Sequence, residues 1–347
     1  MSLSKAEFFK LIKELPKVEL HNHLEGGAMY PDLALKLAAR NKMDLPFKDE
    51  VTAAEYYKFT SLDQFIDILR TTVATLNTSE DYADALERHG VEAAKQNIRY
   101  HEIFFTYGLV ASRGVPWEAV TEGLIEGSKR NKEKHGVETA LIFDLDRTLP
   151  EDEAMRHVEL AAQMKDKLNI VALGLDCQER GYPAGRLKDC FSFAKSVGFR
   201  LTAHAGEDGG SESVWDALKN CEVERIDHGV QAKNDPELLK HLAERNILLT
   251  VCPISNIELC VFPSMREHSL PELVNAGIPV CLNSDDPPMF NSNLTREVEA
   301  VYDAFDFSQS QLVKMLRNAI EHSFQSDKGK TLLLRQFEDV RRKYLSD

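Results

Sequence analysis

The sequence contains no run of about 18 apolar residues, the length a membrane-spanning helix needs, so no membrane span is expected. It contains no C-x-x-C pair: Cys177, Cys190, Cys221, Cys252, Cys260 and Cys281 are scattered along the chain. That spacing suits neither a thiolate metal site nor a disulfide framework, and reduced, buried thiols are the expectation. Positive charge is in deficit. With 42 Lys and Arg against 56 Asp and Glu, the net charge is −14. An acidic chain repels phosphate backbones and anionic lipids, so neither nucleic acid nor a membrane surface is an expected partner. Met1 to Lys10 lacks the apolar core of a secretory signal, which points to a cytoplasmic location. Low-complexity linkers and solenoid-length repeats are also missing, so all 347 residues are expected to form one domain.

What is present is alternation. At 43% hydrophobic and 28% charged residues, the chain can bury a large core. Eight short apolar runs read as strands: Lys17–Leu24, Ile98–Phe105, Glu138–Leu145, Ile170–Asp176, Phe199–His204, Arg225–His228, Ile247–Cys252 and Ile278–Leu282. They are rich in Val, Ile, Leu and Phe, as strands buried on both faces should be. Amphipathic stretches lie between them. Pro116–Lys134 opens on a Pro suited to a first helical turn, and Asp235–Arg245 and Leu270–Ala276 have helical spacing. Ser79–Asn97 opens with a Ser cap followed by Glu80 and Asp81, acids that suit a helix N-terminus. A helical insertion is expected over Tyr30–Thr78.

Strand and helix repeated eight times admit a closed barrel or an open doubly wound sheet. An open sheet binding a dinucleotide would carry a glycine-rich loop after its first strand. Here that strand ends in His21-Asn22-His23, which favours a TIM (β/α)₈ barrel. In such a barrel the C-terminal strand ends meet at one rim. The fifth strand ends in His204-Ala205-Gly206-Glu207, the sixth in Asp227-His228-Gly229, and the eighth runs into Asn283-Ser284-Asp285-Asp286-Pro287. Each has an ordinary explanation alone, as core histidine, solvated turn or helix cap. Four such segments at one rim point instead to a metal site.

His21 and His23, two apart on a strand, face the same way. With His204 and Asp285 they make a three-histidine, one-carboxylate set that suits a single zinc with an open position for water. Glu207, three residues after His204, is the expected proton shuttle, and His228 the partner of the attacking water. Asp176 and Glu179 follow the fourth strand and read either as groups near the substrate or as a salt bridge or cap. Phe65, Phe104 and Phe105 are candidate apolar walls, and Ser255 and Asn256 braces for the loop below. The fourth strand ends Leu175-Asp176-Cys177, with no lysine that could bridge a second metal, so one metal is expected. A non-catalytic paralogue would be expected to have lost a ligand or the acid, and all are present.

The motifs Lys17-Val-Glu-Leu-His-Asn-His-Leu-Glu-Gly26, His204-Ala-Gly-Glu207, Arg225-Ile-Asp-His-Gly229, Cys252-Pro-Ile-Ser-Asn256 and Asn283-Ser-Asp-Asp-Pro287 together resemble the adenosine/adenine deaminase family of the amidohydrolases. They fall in the family's order and cover about Leu15 to Phe324. The resemblance implies a barrel fold, zinc on His21, His23, His204 and Asp285, protonation of purine N1 by Glu207, an orienting role for His228, and a hydrogen bond from Asp286 near N7. It implies a small-molecule purine as partner. Adenosine or deoxyadenosine, going to inosine or deoxyinosine and ammonia, is the first expectation. Free adenine, aminodeoxyfutalosine and N6-substituted adenines stay open: Glu25 stands where adenosine deaminases usually have Asp, as in adenine deaminases, whereas Asp286-Pro-Pro-Met-Phe-Asn291 departs from the adenine branch.

Overall fold

The computed structural model describes residues 3–60 and 62–345. Eight strands pair in sequence order, all parallel. They are β1 (Lys17–His23), β2 (Ile98–Phe105), β3 (Glu138–Asp146), β4 (Ile170–Asp176), β5 (Arg200–Ala205), β6 (Arg225–His228), β7 (Leu248–Val251) and β8 (Val280–Leu282). The sheet closes where Asn22 bridges Asp285. There the N–H of His23 donates to the Asp285 carbonyl at 3.1 Å and the N–H of Asp285 to the His21 carbonyl at 3.1 Å. One closing seam therefore runs through three residues of interest. The result is the TIM (β/α)₈ barrel anticipated from the strand pattern.

Each strand is buried because it separates two layers. Phe104, Ile142 and Ala172 form a small cluster of their own, Phe104 lying against the ring of His23. Their neighbours in sequence, Phe105 and Phe143, join the much larger core shared with the surrounding helices. Alternation along β2 thus turns Phe104 inward and Phe105 outward, where it stacks on Trp117 at 6.4 Å. Phe105 is core packing rather than a pocket wall. A fully buried Leu or Phe contributes about 1.5–3 kcal/mol, so this two-layer burial drives the fold.

Several local expectations shift by a residue or a turn. Leu24 leaves the strand and opens the short helix Leu24–Gly27. The cap of the Ser79–Lys95 helix is Thr78, whose hydroxyl accepts from the Asp81 N–H. Pro116 sits one residue before helix Trp117–Arg130, which continues into a π turn over Asn131–His135. Between β1 and the Ser79 helix lie helices Pro31–Asn41, Glu50–Tyr56 and Leu62–Val73. Cys190, Cys221, Cys252 and Cys281 are buried, but Cys177, just past the end of β4, and Cys260, in the turn after helix Pro253–Glu258, are exposed. Among the described residues, no helix is long and apolar enough to cross a membrane.

Candidate metal centre and active site

Strand ends aim the key side chains by turning sharply. His228 and Asp285 adopt left-handed backbone conformations (φ 64° and 61°), as do Gly206 and Gly229. A left-handed conformation is costly for residues other than glycine and concentrates where function demands it.

His21, His23 and His204 bring their ring nitrogens together, and Asp285 joins them. His23 Nε2 lies 3.2 Å from His204 Nε2 and 3.4 Å from Asp285 Oδ1, and His21 Nε2 lies 3.6 Å from the same oxygen. Donors about 2.05 Å from one tetrahedral ion would be about 3.3 Å apart, so the spacing fits a metal. Protonation fits as well. The Thr250 hydroxyl donates to Asp227 Oδ1 at 2.8 Å, so toward His21 Nδ1, 2.9 Å away, it must accept. His21 therefore carries its proton on Nδ1 and points a bare Nε2 inward, where that atom is buried without a protein partner. His204 is set the same way: its Nδ1 donates to the Leu175 carbonyl at 3.0 Å. Burial pushes the pKa of His21 and His204 well down, and that of His23 down against the opposing charge of Asp285. Neutral rings with inward lone pairs are metal ligands. Ser255 donates to Asp285 Oδ2 at 2.6 Å, leaving Oδ1 for the ion. The donor set therefore fits a divalent metal.

Two further groups face this cluster. His228 Nε2 lies 3.6 Å from Glu207 Oε1 and 3.9 Å from Asp285 Oδ2. Burial raises the Glu207 carboxyl to about 7; His228 opposes, and Asp285, Glu179 and Asp208 add to the rise. Asp286 is buried with Oδ1 unpartnered. Its pKa is pushed well up by burial, then by Asp285, Glu25, Glu207 and Asp176. A Cβ at Gly26 would lie 2.0 Å from Asp286 Oδ1, so the glycine after Glu25 makes room for this carboxyl. Glu25 accepts from the Thr106 N–H at 2.9 Å, and the Thr106 hydroxyl donates to Asp176 Oδ2 at 2.6 Å. Burial raises both carboxyls to about 7. Phe65 lies farther out, stacked on Phe290 at 5.3 Å.

Glu179 takes the capping alternative. Its carboxylate accepts from the N–H groups of Gly206, Glu207, Asp208 and Gly209, the last three at 3.1, 3.1 and 2.8 Å. Burial would raise its pKa, but the Ser213 hydroxyl, the Gly209 and Gly206 N–H groups and the charge of Arg147 lower it overall. Glu179 thus clamps the loop that carries Glu207. Glu179→Ala should lower kcat by about 10²-fold, the cost of a displaced reacting group, with bound metal unchanged. Steady-state kinetics with metal analysis checks this; an unaltered kcat would refute the clamp.

Arg147 was not marked by any motif. Strands β4 and β5 pair only at Ala172–Arg200 and Leu173–Leu201. Beyond that gap the buried Arg147 guanidinium donates to the Asp176 carbonyl at 3.0 Å and to the His204 carbonyl. It stitches two diverging strand ends beside a metal-cluster histidine. A cation just after the acidic strand end Asp144-Leu-Asp146 was the available signal.

A family model described as adenosine deaminase matches residues 16–340. An adenine deaminase of Chlorobium luteolum is 39% identical over 331 residues, covering 95% of this chain and 96% of the relative. The crystal structure of an adenine deaminase from Arthrobacter aurescens superposes with a TM-score of 0.89 at 34% identity, covering 94% of this chain and 98% of that one. An amidohydrolase from Burkholderia ambifaria, solved with bound zinc, gives a TM-score of 0.86 at 26% identity, covering 100% and 97%. The chain belongs to the adenosine deaminase family, hydrolases acting on carbon–nitrogen bonds of cyclic amidines.

Proposed function

We propose that this chain deaminates free adenine to hypoxanthine and ammonia, using a single zinc held by His21, His23, His204 and Asp285. The observation that carries the chemistry is the convergence of three imidazole nitrogens and one carboxylate beside a buried acid, Glu207. Zinc is supported by that donor set and by the zinc-bound Burkholderia ambifaria relative. When bound, zinc lowers the pKa of a water toward about 7 and so supplies a nucleophile near neutrality.

The chain's residues do the rest. Glu207, whose carboxyl burial raises to about 7, donates in its protonated form to purine N1 and makes C6 electron-poor. His228 Nε2 holds the attacking oxygen toward C6. Asp286, its carboxyl pushed well up by burial, offers a hydrogen bond at N7. Water adds at C6, one of its protons returning to Glu207, and the amino group leaves as ammonia with the proton of the added hydroxyl as the C6 carbonyl forms.

Free base is favoured over nucleoside on two grounds. The relatives at 39% and 34% identity are named adenine deaminases. Glu25, the acid at the position that meets a ribose in adenosine deaminases, spends one oxygen on the Thr106 N–H. This moves the weight from the nucleoside expected first to the free base. Asp176, with Oδ1 buried and unpartnered, is assigned to the N3 side of the ring.

Ammonia release from adenine, adenosine, deoxyadenosine, N6-methyladenine and aminodeoxyfutalosine, compared side by side, tests the substrate. The kcat/KM for adenine should exceed that for adenosine by about 10²-fold or more, because an N9 sugar must displace bonded carboxyl groups. The reverse order would return the nucleoside reading.

A further inference from the structure

Behind His228 a hydrogen-bonded chain runs out of the site and ends on a backbone N–H. The Leu270 N–H donates to His268 Nδ1 at 3.0 Å. His268 Nε2 lies 3.2 Å from Asn256 Oδ1. Asn256 Nδ2 lies 3.2 Å from His228 Nδ1 and 3.5 Å from Glu207 Oε1. Ring and amide polarity are ambiguous one at a time, but not together. A backbone N–H can only donate, so His268 Nδ1 accepts and a neutral His268 carries its proton on Nε2. Burial, with Lys233 and His228 adding, pushes His268 down to about 3, so the ring is neutral. Its Nε2–H must meet the oxygen of Asn256. The amide NH₂ then faces His228 and Glu207, and His228 Nδ1 can only accept.

We propose that His268, acting through Asn256, is a positioning residue that fixes His228 as the Nε2–H tautomer and gives Glu207 a hydrogen-bond donor. His228 then presents a donor, not a base, to the reaction centre. For Nε2 to act as a base, the ring would have to carry its proton on Nδ1, and that Nδ1–H would face the Asn256 NH₂, two donors in opposition. Protons of the reaction are thereby directed to Glu207. His268 is built for this role: it is buried, its ring packs on Phe262 at 4.6 Å, and the adjacent Ser269 hydroxyl donates to the Val230 carbonyl at 2.8 Å. The inference rests on the deaminase reading only for the role of His228; the tautomer is independent of substrate.

The test uses the metal-loaded full chain with ¹⁵N-labelled histidine. The His228 signals are assigned by their loss in His228→Asn. In the native protein, Nε2 should give the pyrrole-type and Nδ1 the pyridine-type shift. His268→Leu should mix the two tautomers and lower kcat about 10- to 100-fold, the usual cost of losing such an outer partner, with KM and metal content little changed. His268→Gln can accept from Leu270 and donate to Asn256, and should restore both the shift pattern and most of kcat. A native His228 protonated on Nδ1 would overturn the proposal even if His268→Leu does not fold. So would unchanged shifts and kcat in His268→Leu, or equal losses in the Leu and Gln variants. If adenine proves not to be the substrate, the shifts still decide.

Discussion

Replacing Glu207 by Gln should lower kcat by about 10²- to 10⁴-fold, the range supplied by a positioned acid or base, while metal content stays at the native level. Gln keeps the size and the hydrogen-bond acceptor beside Asn256 and His228 but cannot exchange a proton. Glu207 is raised to about 7 by burial first, with His228 opposing and Asp285, Glu179 and Asp208 adding. As an acid it must start protonated, so kcat/KM should fall as pH rises through that value. The positive charge of a bound metal acts against burial and moves this limb to lower pH in the loaded enzyme. The limb should vanish in the residual activity of Glu207→Gln. A pH profile of both proteins, with metal analysis of each, checks the expectation; near-native turnover in the variant would remove Glu207 as the acid.

Removing a ligand should act on metal first and activity second. His21→Ala or Asp285→Ala leaves three donors, and bound zinc should drop well below one per chain, with turnover lost in step. Thr250→Val is the graded companion. It takes away the partner that holds the His21 proton on Nδ1, and should weaken metal affinity by about 10- to 100-fold without changing the ligand count. Titration against a competing chelator orders the three proteins. Equal affinity in His21→Ala and the native chain would exclude His21 as a ligand.

The barrel was legible because parallel strands buried on both faces are short apolar runs with abrupt ends. β2, β4 and β6 have the very limits expected, and the others differ by one or two residues at an end. The rim cluster was legible because every member lies within three residues of a strand's C-terminal end, so topology alone brings His21, His23, His204, His228 and Asp285 to one place. What stayed hidden depends on contacts between loops. His268 looks like any loop histidine until its ring is seen against Asn256, twelve residues away in sequence. Arg147 acquires meaning only once β4 and β5 are seen to part. Glu179 could be read as substrate group or cap, and only the four N–H groups pointing at it decide. Phe104 and Phe105 look alike in the sequence but face opposite layers, since one residue along a strand reverses direction.

The central claim is that a single zinc at the ends of β1, β5 and β8 drives hydrolytic loss of the 6-amino group from adenine. Chelator-stripped protein should be titrated with zinc while ammonia release from adenine is followed. The rate is predicted to rise linearly from near zero and to break at one zinc per chain. Full turnover in the stripped protein, or a break at two zinc ions per chain, would contradict it.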